Sequence, residues 1–245
     1  MSSALPATNL PGAIPTLNSR GFMLEALDEY ATEFAAVAGQ AHHEVLDMGC
    51  AYGVATLAAL DKGAKVCACD MEPAHLNILT ERAKPEHKAA LRTVVGLLPD
   101  VEFSAQSFDA ILASRVIHFL TGDDIRITLR KMFNWLTPGG KLFLVVDTPY
   151  MPGWNSIVPS YETKKAAGEP WPGFIPDFAS VRRTSAGDPP APEFLNTLDP
   201  DILARECKAA GFDVQRASFF GLQRLGKDSN GREHAGCMAV KPISV

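Results

Sequence analysis

The chain lacks any apolar run near the ~20 residues that span a bilayer, so no segment reads as a membrane anchor. It also lacks basic runs: no stretch of lysine and arginine exceeds two residues, and the formal net charge is −5. A protein that tracks a phosphate backbone normally carries a basic stripe, so nucleic acids leave the list of expected partners. Cysteine is scarce, five in all, and Cys67-x-Cys69 has no second pair at zinc spacing. That argues against a disulfide framework and a sequence-defined metal centre, and for reduced thiols in a cytoplasmic protein. The first fifteen residues have neither a basic start nor an apolar core, so they do not read as a secretion signal. What remains as a partner is a small molecule.

What is present is one informative stretch. At 245 residues and 47% hydrophobic, the chain can build one large core. Within it, Val45-Leu46-Asp47-Met48-Gly49-Cys50-Ala51-Tyr52-Gly53 runs from an apolar strand through an acid into a small-residue turn. Val54 to Leu60 then continues at helical spacing. Strand, tight turn and helix bring backbone N–H groups up to a ligand. A second acid, Asp70, ends the next apolar run, where it can accept hydrogen bonds from ribose hydroxyls. The dinucleotide fingerprint needs glycines at 49, 51 and 54; the chain has Gly49, Ala51 and Val54, and the pattern does not fit. The ligand bears a nucleoside but is not read as a dinucleotide.

Strands are expected near 43–47, 65–70, 91–96, 108–114 and 140–147. Helices are expected at 53–61, from Glu72-Pro73 to about 84, and at 122–136. This alternation argues an α/β, doubly wound parallel sheet. Residues 1–18 read as irregular, and an amphipathic helix is expected over 19–38, available to a lid or a homodimer contact. Residues 149–200 break the rhythm with ten of the eighteen prolines and two of the three tryptophans. So long a stretch without a period is usually functional. Residues 149–198 therefore read as a lid inserted after the fifth strand, within one domain over 19–245. A helix to 210 and strands at 212–220 and 234–241 close the chain, the last two as an antiparallel pair.

The acid-first turn resembles the first motif of the class I S-adenosylmethionine-dependent methyltransferases, roughly V-L-D-x-G-C-G-x-G, with Ala51 where glycine is usual. Ser107-Phe108-Asp109 is similar to the family's S-F-D step into the fourth strand, and Leu136-Thr137-Pro138-Gly139-Gly140-Lys141-Leu142 to its L-x-P-G-G-x-L. Ala209-Ala210-Gly211-Phe212 resembles its E-A-G-F step. The resemblance covers about 43–150 and 198–241, and implies a seven-stranded, mostly parallel Rossmann-like methyltransferase fold.

It further implies that S-adenosylmethionine is the cofactor. Gly49, Ala51 and Gly53 would approach its methionine part, and Asp47 would hold the turn and reach the amino group. Asp70 would bind the ribose and Met71 would pack on adenine; Leu97 stands where many relatives carry an acid, which leaves adenine to shape and to backbone such as the Leu98 N–H. Ser114 and Arg115 would lie beside the methionine end, Arg115 alternatively being an ion-pair partner. His118 and Tyr150 are the candidate catalytic residues, His118 because its ordinary pKa suits a base near neutrality. Asp147 is a further residue placed to touch the acceptor. The expected reaction moves a methyl group to an O, N or C atom of a small aromatic or apolar molecule, the lid's aromatic residues suggesting that class. A cofactor-binding regulator with the same fold and a protein methyltransferase are the alternatives. No N-P-P-Y-like stretch follows the fourth strand, where Ala113-Ser114-Arg115-Val116 stands.

Overall fold

The computed structural model describes residues 5–8, 11–18, 20–181 and 191–243. Ser19, where the first helix was expected to start, and parts of 1–18 and 149–198 lie outside the described residues. Two short strands open the fold: β1 (Ala13–Pro15) and β2 (Phe22–Leu24) pair antiparallel as a hairpin. The first helix, α1 (Glu29–Ala38), therefore begins about ten residues later than the apolar spacing suggests. Gly21 takes a left-handed φ of +143° and the Phe-Met-Leu run is extended. Asp28 then caps the helix, its carboxylate accepting from the Ala31 N–H at 2.9 Å. The apolar face of α1, with Tyr30, Phe34 and Ala38, is buried against Val45, Phe143 and Val145. That face belongs to the core of this chain and is not left for a dimer.

The sheet follows the expected alternation closely. Its elements are β3 (Glu44–Met48), α2 (Val54–Leu60), β4 (Val66–Asp70), α3 (Pro73–Arg82), β5 (Leu91–Val95), β6 (Phe108–Ser114), α4 (Gly122–Trp135) and β7 (Leu136–Asp147). Past β7 come α5 (Val158–Ala166) and a two-residue ribbon of β8 (Phe174–Ile175) with β9 (Leu195–Asn196). The fold closes with α6 (Pro200–Ala209), β10 (Asp213–Phe220) and β11 (His234–Val240). The sheet order is β10-β11-β7-β6-β3-β4-β5, with β3 to β7 parallel and β10 and β11 antiparallel. Strand β4 is buried throughout, as its unbroken Val-Cys-Ala-Cys run demands of a central parallel strand.

The chain leaves β3 toward β4 and β5, then crosses back to β6 and β7 on the other side. The strand order reverses between β3 and β6, and a crevice opens there beyond the carboxyl ends of the strands. Helix α5 is fastened to α6 by polar contacts. The Tyr161 hydroxyl donates to Asp199 Oδ2 at 2.5 Å, Lys165 donates to the same carboxylate, and Asp199 caps α6 through the Ile202 N–H. All five cysteines are free and buried.

Candidate active site

A cavity of about 550 Å³ occupies the crevice. It brings together Asp47, Gly49, Ala51, Asp70, Met71, Leu97, Leu98, Ser114, Arg115 and His118. Ten residues expected at the site thus line one space. Gly53 stands behind it, at the start of α2.

The turn after β3 needs its glycines. Gly49 has φ +73°, and a Cβ there would stand 2.3 Å from Val116 Cγ2. Gly53 has φ +80°, and a Cβ would meet Leu79 Cδ1 at 2.2 Å. Ala51 also takes a left-handed φ, 44°, where the family's usual glycine would be unstrained. An alanine in that region costs on the order of 1–2 kcal/mol. Its methyl joins Ile14, Tyr52 and Ile78 in a small apolar cluster that offsets part of this cost.

Two acids face the turn differently. Asp47 is buried, with Thr56 donating to Oδ2 at 2.6 Å. Burial pushes its carboxyl up to about 6, against the Thr56 hydrogen bonds and with help from the nearby Asp70 charge. Such a group gains from a cationic partner, which fits the ammonium end of an amino acid. Asp70 is instead heavily bonded. Oδ2 accepts from the Ala51 N–H at 2.8 Å, while Oδ1 accepts from the Glu72 N–H at 2.9 Å and lies 3.0 Å from His75 Nδ1. A carboxylate offers about four acceptor positions, so one remains, on Oδ2, for a sugar hydroxyl. Asp70 is not the cap of α3; Glu72 is, through the Ala74 N–H.

Arg115 takes φ +59° and donates to Asp28 Oδ2 at 3.0 Å and to Ser114 Oγ at 2.9 Å. Ion pairing, the alternative weighed for it, is what the structure shows, on the cavity wall and not on the outer surface. Its bond to the cap of α1 ties that helix to the end of β6.

His118 is 1% exposed in the turn Ile117–Phe119. The Asp147 N–H donates to its Nδ1 at 3.1 Å, so the neutral ring carries its own proton on Nε2. Burial moves its pKa down to about 4, against the attraction of Asp147. His118 is therefore a neutral hydrogen-bond donor at pH 7, which corrects its expected role as a base. Tyr150 is corrected outright. Its hydroxyl donates to Glu162, its ring packs under the Arg232 guanidinium 3.5 Å from the centroid, and it does not line the cavity. The Thr148 hydroxyl, accepting from the Tyr150 N–H, turns the chain away from the site after β7.

Three residues escaped the sequence reading of the site. Asp28 carries the Arg115 pair, and His75 holds Asp70. His234 opens β11 directly opposite Asp147 in the β7 register. Its Nδ1 lies 3.1 Å from Asp147 Oδ1, a close pair off hydrogen-bond alignment, while His234 Nε2 is buried without a partner. Burial opposes the Asp147 charge, yet His118, His234 and Arg115 hold that carboxyl well below the usual range. A pairing of the last strand with the fifth would have brought His234 to Asp147 on paper. Around this polar floor stand Phe22, Phe119, Met151, Trp154 and Phe178. Among the described residues, no group of three or more His, Cys, Asp or Glu could hold a metal, and no helix is long and apolar enough to cross a membrane.

A doubly wound α/β fold with a cavity at the strand-order reversal defines the class. Residues 45–140 match the family model described as methyltransferase domain. The chain is 28% identical over 163 residues to erythromycin 3''-O-methyltransferase of Saccharopolyspora erythraea, covering 62% of this chain and 52% of that one. Cypemycin N-terminal methyltransferase of a Streptomyces species is 33% identical over 107 residues, 43% of this chain and 42% of its own. The chain thus spans about half the length of the curated relatives it matches. Among solved structures, the glycopeptide N-methyltransferase MtfA complexed with S-adenosylmethionine aligns with a TM-score of 0.58 at 22% identity, over 86% of each chain. Residues 45–140 thus carry a methyltransferase domain, and the fold is that of S-adenosylmethionine-dependent methyltransferases.

Proposed function

We propose that this protein transfers the methyl group of S-adenosylmethionine to an O, N or C atom of a small aromatic or apolar molecule. The observation that carries this reading is the single cavity that joins the turn after β3 to aromatic walls and a buried polar floor. When bound, the cofactor supplies a methyl group on a sulfonium, with a neutral thioether as leaving group. The protein's task is then to position two reactants and exclude water, so no catalytic triad or metal is required.

In this reading Asp47 takes the cofactor's ammonium group, while Gly49, Ala51 and Gly53 let backbone approach its methionine part. Asp70 binds the ribose through its remaining acceptor position. Met71, Leu97 and Leu98 hold adenine by shape, and Ser114 and Arg115 bound the methionine end. His118 offers its Nε2–H and Asp147 its carboxylate to polar groups of the acceptor. Residues 149–198 are the lid, contributing Met151, Trp154 and Phe178 to the wall. Residues 19–245 form one domain, and the free buried thiols support a cytoplasmic setting. The test is methyl transfer from labelled S-adenosylmethionine to a panel of small aromatic amines, phenols and heterocycles. Transfer that falls at least ~100-fold in Asp147→Ala supports the reading; transfer to protein substrates alone contradicts it.

A further inference from the structure

The ribose acid is fastened to the N-terminal hairpin through a side chain that takes no part in the reading above. His75, fully buried at the start of α3, places Nδ1 3.0 Å from Asp70 Oδ1 and accepts the Leu17 N–H on Nε2 at 2.9 Å. The two bonds settle the tautomer. A backbone N–H can donate only to an unprotonated Nε2, so the neutral ring carries its proton on Nδ1 and donates it to Asp70. The hairpin end reached by His75 is held a second time by Tyr52, whose hydroxyl donates to the Pro15 carbonyl at 2.8 Å. Tyr52 also sets its ring edge-on to His75, centroids 4.7 Å apart. Ile14 packs with Ala51 and Tyr52, and Met23 packs against that cluster. Arg20, Phe22, Met23 and Leu24 line the cavity. The hairpin is thus a wall of the cofactor site, latched to the carboxylate read as its ribose ligand.

We propose that His75 is a positioning residue that couples closure of strands β1 and β2 over the cavity to cofactor binding. The seated hairpin fixes the His75 ring, and the ring fixes the Asp70 carboxylate with one acceptor position free. A ligand that engages Asp70 must by reciprocity favour the seated hairpin. This inference rests on Asp70 as the ribose ligand.

The chain supplies its own reporter, because Arg20 is its first lysine or arginine and lies between β1 and β2. Tryptic cleavage after Arg20 therefore measures opening of the hairpin. The sharpest variant is Leu17→Pro, which deletes one N–H donor. Its side chain is 44% exposed and it stands in a turn, where proline is tolerated. His75→Phe keeps a ring and removes both bonds. Cleavage rates with and without saturating S-adenosylhomocysteine are measured beside calorimetric affinity for the same ligand.

In the wild type the ligand should slow cleavage by roughly tenfold or more. In both variants that protection should fall below about twofold and affinity should weaken about 5–20-fold. The unliganded thermal midpoint of Leu17→Pro should stay within a few degrees of wild type, separating lost coupling from unfolding. Ligand binding that leaves wild-type cleavage unchanged, or full protection in Leu17→Pro, would overturn the coupling and leave the cofactor reading intact. A wild type that binds no S-adenosylhomocysteine would overturn both.

Discussion

The two ends of the cavity are finished to different degrees. At the cofactor end Asp70 has three partners, His75 two, and Asp47 the Thr56 hydroxyl, while among the described residues Arg115 Nε is the one polar side-chain atom there buried unbonded. At the other end Asp147 Oδ1 and His234 Nδ1 face each other at 3.1 Å off hydrogen-bond alignment, and His234 Nε2 is buried without a partner. Buried polar groups left unbonded cost about 1–3 kcal/mol each, so a fold keeps them where something else uses them. On the proposed reading, the cofactor end is a preformed mould, while the floor is left to be completed by the acceptor. A rigid donor site and an unsatisfied acceptor site suit a transfer whose difficulty is placement.

Substitutions at each end can break that contrast. The largest effect should come from Asp147→Ala, which should lower turnover at least ~100-fold while S-adenosylhomocysteine affinity stays within about twofold of wild type. A parallel loss of cofactor affinity would erase the distinction between the two ends. Next, Asp70→Ala should weaken S-adenosylhomocysteine binding by about 1–3 kcal/mol in a calorimetric titration. Unchanged affinity would remove Asp70 from the ribose.

Asp47→Asn sharpens the contrast from within the cofactor end. The folded protein holds the Asp47 proton more tightly than the unfolded chain does, with a carboxyl near 6 against the ordinary 3.8. Its contribution to stability therefore falls as pH rises from about 4 to 6 and is level above. Replacing it with the uncharged amide should stabilise the ligand-free protein by about 2–3 kcal/mol at pH 7 to 8. The gain should vanish near pH 4 in denaturant titrations, and cofactor affinity should fall. The smallest effect belongs to Tyr150→Phe, outside the cavity, which should leave turnover and cofactor affinity within about twofold of wild type.

The cofactor end was legible because its chemistry is local. Residues 44–82 repeat a strand, turn and helix pattern whose acids fall at strand ends, and β3, α2, β4 and α3 lie within a residue or two of expectation. The other end is assembled from distant segments. Asp147 and His234 meet only through the β7–β11 register, 87 residues apart, which no local pattern encodes. The hairpin at 13–24 went unread because three-residue strands carry no period, and its apolar residues were absorbed into the helix expected from 19. Asp28-Glu29, an N-cap followed by a first-turn acid, marked the true start. Tyr150 looked catalytic from its place after β7, but direction after a strand end is set by turn bonding, here at Thr148.

Placement of ligand across the two ends is the most direct test of the contrast between them. A crystal structure with S-adenosylhomocysteine should show the ribose on Asp70 and the amino group at Asp47. The sulfur should face the floor of Asp147 and His234, and the hairpin should be closed. A nucleoside seated away from Asp70, or a sulfur turned from that floor, would contradict it.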